Sequence, residues 1–189
     1  MTTASKVTMV RIFMIPVFIV FFMMGYYMPD VIGCADFIAM ILFIVASATD
    51  GIDGYIARHY NQVTDFGKFI DPLADKILVI SALLCMIEFG WIYSVAVIII
   101  IAREFMVTGL RTVAMGSGKV IAAGFSGKLK TVIQIVVIVA IMAARCFNIY
   151  DITFVNIAIE IGIWAMVFIT VYSGAEYIIQ NWSIIDFKK

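Results

Sequence analysis

The chain has 189 residues, 64% of them hydrophobic and 14% charged, with a formal net charge of zero. Soluble domains carry roughly 45–50% apolar and about 25% charged residues, so a soluble globule of this size could not cover its apolar surface. A soluble domain is therefore excluded and no nucleic-acid partner is expected; an all-α polytopic membrane protein is, as a single integral-membrane domain over residues 1–189.

The first residues, Met1 to Lys6, run into an apolar stretch without a small-residue cleavage site, which reads as a retained first span rather than a signal peptide. A crossing needs about 20 mostly apolar residues. Six transmembrane helices are expected in chain order: Val7–Met24, Gly33–Arg58, Lys68–Phe89, Trp91–Ala114, Phe125–Phe147 and Ile152–Ile179. Pro16 should kink the first. Gly67 should sit at the joint before the third, with Pro72 in that helix's first turn. Breakers mark the connections at Met28-Pro29-Asp30, Glu88-Phe89-Gly90, Gly116-Ser117-Gly118 and Asn148-Ile149-Tyr150-Asp151. Cys34, Cys85 and Cys146 are too scattered for a disulfide framework and read as small apolar fillers. Trp91, Trp164 and Trp182 read as interfacial anchors or lipid-facing bulk. Asn156 and Glu160 form a polar pair in the sixth span, for which a helix–helix hydrogen bond near the outer surface is the modest reading.

With six spans, both termini and the two-to-three and four-to-five connections share one side. Of the 13 Lys and Arg residues, all but Arg145 fall toward that side. The excess of basic residues makes it the cytoplasmic side.

The second span ends in Asp50-Gly51-Ile52-Asp53-Gly54-Tyr55-Ile56-Ala57-Arg58, and the third opens around Gly67, Asp71 and Asp75. An isolated charge in hydrocarbon costs on the order of 3 kcal/mol by insertion scales. Four carboxylates of one sign therefore need positive charge among them, most simply two divalent metal ions. Asp50 and Asp53 are three residues apart and Asp71 and Asp75 four apart, so at about 100° per residue each pair falls on one helix face. The donors are all oxygen. His59 is the single histidine and reads as an interfacial loop residue, so Mg²⁺ or Mn²⁺ is favoured over zinc. Gly51, Gly54 and Ala57 remove bulk beside the acids, leaving room for a large anionic ligand, and Arg58 would balance its charge.

This run resembles the signature of the CDP-alcohol phosphatidyltransferases, Asp-x2-Asp-Gly-x2-Ala-Arg-x8-Gly-x3-Asp-x3-Asp, with Asp50, Asp53, Gly54, Ala57, Arg58, Gly67, Asp71 and Asp75 all at the family spacing. The resemblance implies a membrane bundle with a metal-dependent transferase activity. It implies that Asp50, Asp53 and Asp71 hold two metal ions and the CDP diphosphate, and that Asp53, Gly54, Ala57 and Arg58 line the nucleotide of the CDP-lipid. It makes Asp75 the general base, touching a metal as well, and leads one to expect a homodimer.

Further stretches resemble the bacterial branch of the family that forms phosphatidylglycerophosphate from CDP-diacylglycerol and sn-glycerol 3-phosphate. They include Asn61-Gln62-Val63-Thr64, Asp71-Pro72-Leu73-Ala74-Asp75-Lys76, Arg103-Glu104-Phe105, Thr108-Gly109-Leu110-Arg111, Gly127-Lys128-Leu129-Lys130-Thr131 and Tyr172-Ser173-Gly174. The opening Val7-Thr8-Met9-Val10-Arg11-Ile12 also fits, although Ser5-Lys6 stands where Asn-Gln is usual. Glycerol 3-phosphate is an anion, so its pocket needs Arg or Lys near the metals. Candidates are Thr8, Arg11, Arg103, Arg111, Lys128 and Lys130. Arg103 and Arg111 are eight apart, about 80° around a helix, and can face one cleft. The competing readings are a cardiolipin synthase or phosphatidylserine synthase of the same family, and an intramembrane cation transporter. A transporter calls for acids near the midplane, whereas these cluster toward one side.

Overall fold

In a computed structural model the described residues are 3–29, 33–59, 65–116 and 124–182, with side chains described for 9–29, 33–49, 74, 76–114 and 124–182. Every described element longer than a turn is helical: α1 Thr3–Tyr27, α2 Ala35–His59, α3 Asp65–Glu88, α4 Ser94–Gly116, α5 Phe125–Cys146 and α6 Thr153–Gln180. The helices match the expected apolar stretches to within about a turn. One detail differs: α3 begins at Asp65, which puts Gly67 inside its first turn and Pro72 in its third. Pro16 lies inside α1.

Among the described residues three helices are long and apolar enough to cross a membrane on composition alone: Met9–Tyr27, Phe125–Cys146 and Thr153–Gln180. α2 contributes a shorter apolar segment, Ala35–Thr49, before the signature acids. α4 has the length, but Arg103, Glu104 and Arg111 interrupt its apolar run. The outward faces are apolar; Phe154 is 79% exposed and Ile179 74%, surface that lipid rather than water would cover.

α1 packs chiefly on α2 and also on α3; α5 packs on α6 and α2, and α4 on α6. The core between them is built from Phe18, Phe43, Leu78, Leu83, Met86, Ile100, Ile138, Ile163 and Met166. At the end away from the acidic signature, α3 and α5 stop in the same way. Beyond α3, Gly90 has φ +67°, Trp91 N–H donates to Met86 O at 2.8 Å and Gly90 N–H to Ile87 O at 2.9 Å. Beyond α5, Asn148 has φ 53°, Ile149 N–H donates to Ala144 O at 3.0 Å and Asn148 N–H to Arg145 O at 3.1 Å. Both are left-handed caps that satisfy the last carbonyls, and Gly and Asn are the residues that tolerate that conformation.

These caps support an aromatic cluster. Phe22, Phe89 and Trp91 lie with ring centroids 5.4–5.6 Å apart, and Tyr26 stacks on Phe89 at 3.9 Å. Trp91 is buried, which corrects its reading as an interfacial anchor, whereas Trp164 and Trp182 are exposed. The Arg145 guanidinium lies 3.5 Å from the Tyr150 ring centroid and 5.2 Å from that of Trp91. Asp36 and Arg145 line one small cavity with Phe22, Trp91 and Met142. Glu160 accepts a hydrogen bond from the Tyr93 hydroxyl at 3.1 Å, tying α6 to the α3–α4 connection. Gly25 meets α2 so closely that a Cβ there would run into the Asp36 carboxylate, 2.7 Å from its Cγ.

Candidate active site

The signature straddles two helices that pack on each other. Asp50, Asp53, Gly54, Ala57 and Arg58 belong to the second half of α2, and Gly67, Asp71 and Asp75 to the first half of α3. Their side chains, with that of Thr8, lie outside the described residues. Four carboxylates spread over two packed helices are an all-oxygen donor set that suits Mg²⁺ or Mn²⁺. Among the described residues no group of three or more His, Cys, Asp or Glu side chains gathers to hold a metal.

A cleft of mixed polar and apolar lining begins one residue beyond Asp75. It is lined by Lys76, Val79 and Ile80 of α3, Ile100 and Glu104 of α4, and Lys130, Thr131 and Gln134 of α5. Lys76 Nζ donates to Thr108 Oγ1, whose own hydroxyl donates to Glu104 O at 2.7 Å. The Lys130 ammonium pairs with Glu104, and Arg103 Nη1 lies 3.7 Å from the same carboxylate oxygen. Deeper in, Gln134 Nε2 approaches Thr170 Oγ1 at 3.5 Å, and the Thr170 hydroxyl donates to Met166 O at 2.7 Å. A buried charge is tolerated only when paired and hydrogen-bonded, which is the arrangement here.

α6 closes the far side of α4. Arg103 Nη2 donates to Ser173 Oγ at 2.6 Å, both groups being buried. The Arg111 guanidinium lies 5.7 Å from the centroid of Tyr177, one helical turn beyond Ser173. The Nε atoms of Arg103 and Arg111 are buried without a hydrogen-bond partner among the described residues.

The proposed acceptor-binding residues therefore separate into groups. Arg103 and Lys130 converge on Glu104, and Arg111 joins Arg103 along the α4–α6 seam. Of the six, Lys130 alone lines the cleft among the described residues; Arg103 and Arg111 turn to α6, and Lys128 is exposed outside the lining. Arg11 is buried on α1, whose packing is with α2 and α3. Sequence reading passes over Lys76, Thr108, Gln134 and Thr170 as site residues. Polarity inside an apolar helix could flag all four, but which of them share a cleft depends on helix rotation.

A family model for the CDP-alcohol phosphatidyltransferases matches residues 1–173. The chain belongs to that family. It is 43% identical over 185 residues to the CDP-diacylglycerol–glycerol-3-phosphate 3-phosphatidyltransferase of Bacillus subtilis (strain 168), covering 94% of each chain. Proteins of the same name from Rickettsia bellii (strain RML369-C) and Haemophilus influenzae (strain ATCC 51907 / DSM 11121 / KW20 / Rd) are each 33% identical. The first match covers 92% of this chain and 91% of the relative, the second 95% and 93%. Membership in this phosphatidyltransferase family makes the chain an enzyme and sets aside the transporter reading.

Proposed function

We propose that the chain transfers the phosphatidyl group of CDP-diacylglycerol to the C1 hydroxyl of sn-glycerol 3-phosphate, giving phosphatidylglycerophosphate and CMP. The observation that carries this reading is the continuity of two features. The four aspartates stand at family spacing on the packed helices α2 and α3, and the basic cleft starts at Lys76, next in the chain to Asp75.

Asp50, Asp53 and Asp71, with Asp75 beside them, would hold two divalent cations, which when bound neutralise the diphosphate and the departing CMP. Asp53, Gly54, Ala57 and Arg58 receive the nucleotide, the small residues allowing close approach and Arg58 offsetting charge. Asp75 takes the proton of the acceptor hydroxyl. The hydroxyl oxygen forms its bond to the lipid-bearing phosphorus while the bond from that phosphorus to the CMP oxygen breaks. Arg103, Arg111 and Lys130 orient the acceptor's phosphate, with Arg11, Thr8 and Lys128 as outer contributors. Two ammonium groups against one carboxylate give the described lining of the cleft a net positive charge, which suits a phosphate monoester. Rate enhancement then rests on positioning and charge neutralisation.

All six helices cross the bilayer in this reading, with both termini and the active site on the cytoplasmic side of a bacterial cell membrane. α4 crosses despite its charges because Arg103 and Glu104 face partners inside the bundle. The working unit is a homodimer, by resemblance to the family.

The test is an acceptor panel on the purified protein in detergent, with CDP-diacylglycerol and either glycerol 3-phosphate, serine or phosphatidylglycerol. CMP release with glycerol 3-phosphate, abolished by chelation and restored by Mg²⁺ or Mn²⁺, is expected. Preference for serine or phosphatidylglycerol would replace the acceptor assignment. Turnover that survives chelation would remove the metal pair.

A further inference from the structure

Arg103 is held from behind by α6. Ser173 accepts from Nη2 at 2.6 Å, and the next residue, Gly174, lies under the arginine's aliphatic stem. A Cβ added at Gly174 would sit 2.9 Å from Arg103 Cγ, 3.6 Å from Nε and 3.9 Å from Cδ. Gly174 belongs to the interior of α6, where glycine is less favourable than alanine by roughly 1 kcal/mol. The close approach of the arginine gives that glycine a reason to be there. The hydroxyl fixes one end of the guanidinium, the missing Cβ fixes the path of the stem, and Glu104 fixes the remaining side at 3.7 Å.

We propose that Ser173 and Gly174 are positioning residues for the acceptor: they form a socket on α6 that sets the Arg103 guanidinium in register with the acceptor phosphate. The inference rests on the proposed role of Arg103 in binding that phosphate. It adds that α6, which carries none of the signature, tunes acceptor recognition through an arginine of α4. An arginine free to change rotamer would still be charged, but it would not present its donors at one fixed place.

The experiment compares Ser173→Ala and Gly174→Ala, each with and without Arg103→Ala, in the full-length enzyme in detergent. With Arg103 present, each single substitution is expected to raise the KM for glycerol 3-phosphate about 10-fold while that for CDP-diacylglycerol stays within about twofold. On the Arg103→Ala background both become silent, because the side chain they position is gone. Equal rises in both KM values, a loss confined to kcat, or effects that persist without Arg103 would each overturn the proposal. If Arg103→Ala raises the acceptor KM but the α6 variants do not, the socket alone is refuted. If Arg103→Ala itself leaves that KM unchanged, the acceptor role of Arg103 falls. Should Gly174→Ala fail to accumulate, Ser173→Ala, which removes a single oxygen, decides the matter alone.

Discussion

Glu104 is the carboxylate on which the cleft's cations converge, and Glu104→Gln is the perturbation that exposes its role. The carboxylate pairs with Lys130 and lies 3.7 Å from Arg103, with side-chain exposures of 14% for Glu104, 5% for Lys130 and 9% for Arg103. At an effective dielectric of about 20, each attraction at such a range is worth about 4 kcal/mol before desolvation is counted. Most of that gain is offset by desolvation, but removing one partner leaves the other charge buried and costs about 3–5 kcal/mol. The amide introduced by Glu104→Gln would still accept one hydrogen bond, so the loss should fall at the lower end. Replacing Glu104 and Lys130 with apolar residues, Glu104→Leu with Lys130→Met, removes the charge stranded on Lys130, while Arg103 keeps its hydrogen bond to Ser173. That double variant is expected to recover most of the stability. Reversible unfolding in mixed detergent and sodium dodecyl sulfate, followed by tryptophan fluorescence, measures the three free energies. A Glu104→Gln variant as stable as the parent would refute the reasoning, as would a double variant less stable than Glu104→Gln. Activity need not follow stability, since Lys130 is also assigned to the acceptor phosphate.

Asp75→Asn should abolish turnover while CDP-diacylglycerol still binds, as measured by equilibrium binding of the radiolabelled lipid; residual turnover near the parent rate would remove Asp75 from the base role. Gly25→Ala should destabilise the protein by about 1–3 kcal/mol, the usual cost of overpacking, because its Cβ would sit 2.7 Å from Asp36 Cγ; an unchanged unfolding midpoint would mean that α1 and α2 can part there freely. Arg145→Leu should cost about 1–2 kcal/mol through loss of contact with the rings of Tyr150 and Trp91. It should leave both substrate KM values unchanged, because Arg145 lies at the end of the bundle away from the signature; altered kinetics would contradict that separation.

The six helices are legible in the sequence because apolar length and breakers are local properties of a chain. The caps at Gly90 and Asn148 stand at two of the marked breakers, and the left-handed conformations there give those breakers their physical cause. The expected start of α3 falls three residues late because Asp65 and Gly67 are polar or flexible, yet a helix's first turn accepts both. Trp91 escapes a sequence reading for a deeper reason. It lies in the α3–α4 connection, outside any helix, so no periodicity reports whether its ring turns to lipid or to the core. The signature is legible through its spacing alone, without knowledge of any contact. The pairing of Glu104 with Lys130 and the seating of Arg103 on Ser173 are not, because each depends on how two distant helices are rotated about their axes.

The contrast among the three tryptophans makes the molecule its own spectroscopic ruler. Trp91 is sealed among rings beneath a guanidinium, while Trp164 is 53% exposed on the outer surface of α6 and Trp182 60% exposed just past that helix's end. A brominated acyl chain should therefore quench Trp164 by direct contact and leave Trp91 emitting. Loss of that protected emission would report the parting of the aromatic end of the bundle, at the opposite pole from the chemistry.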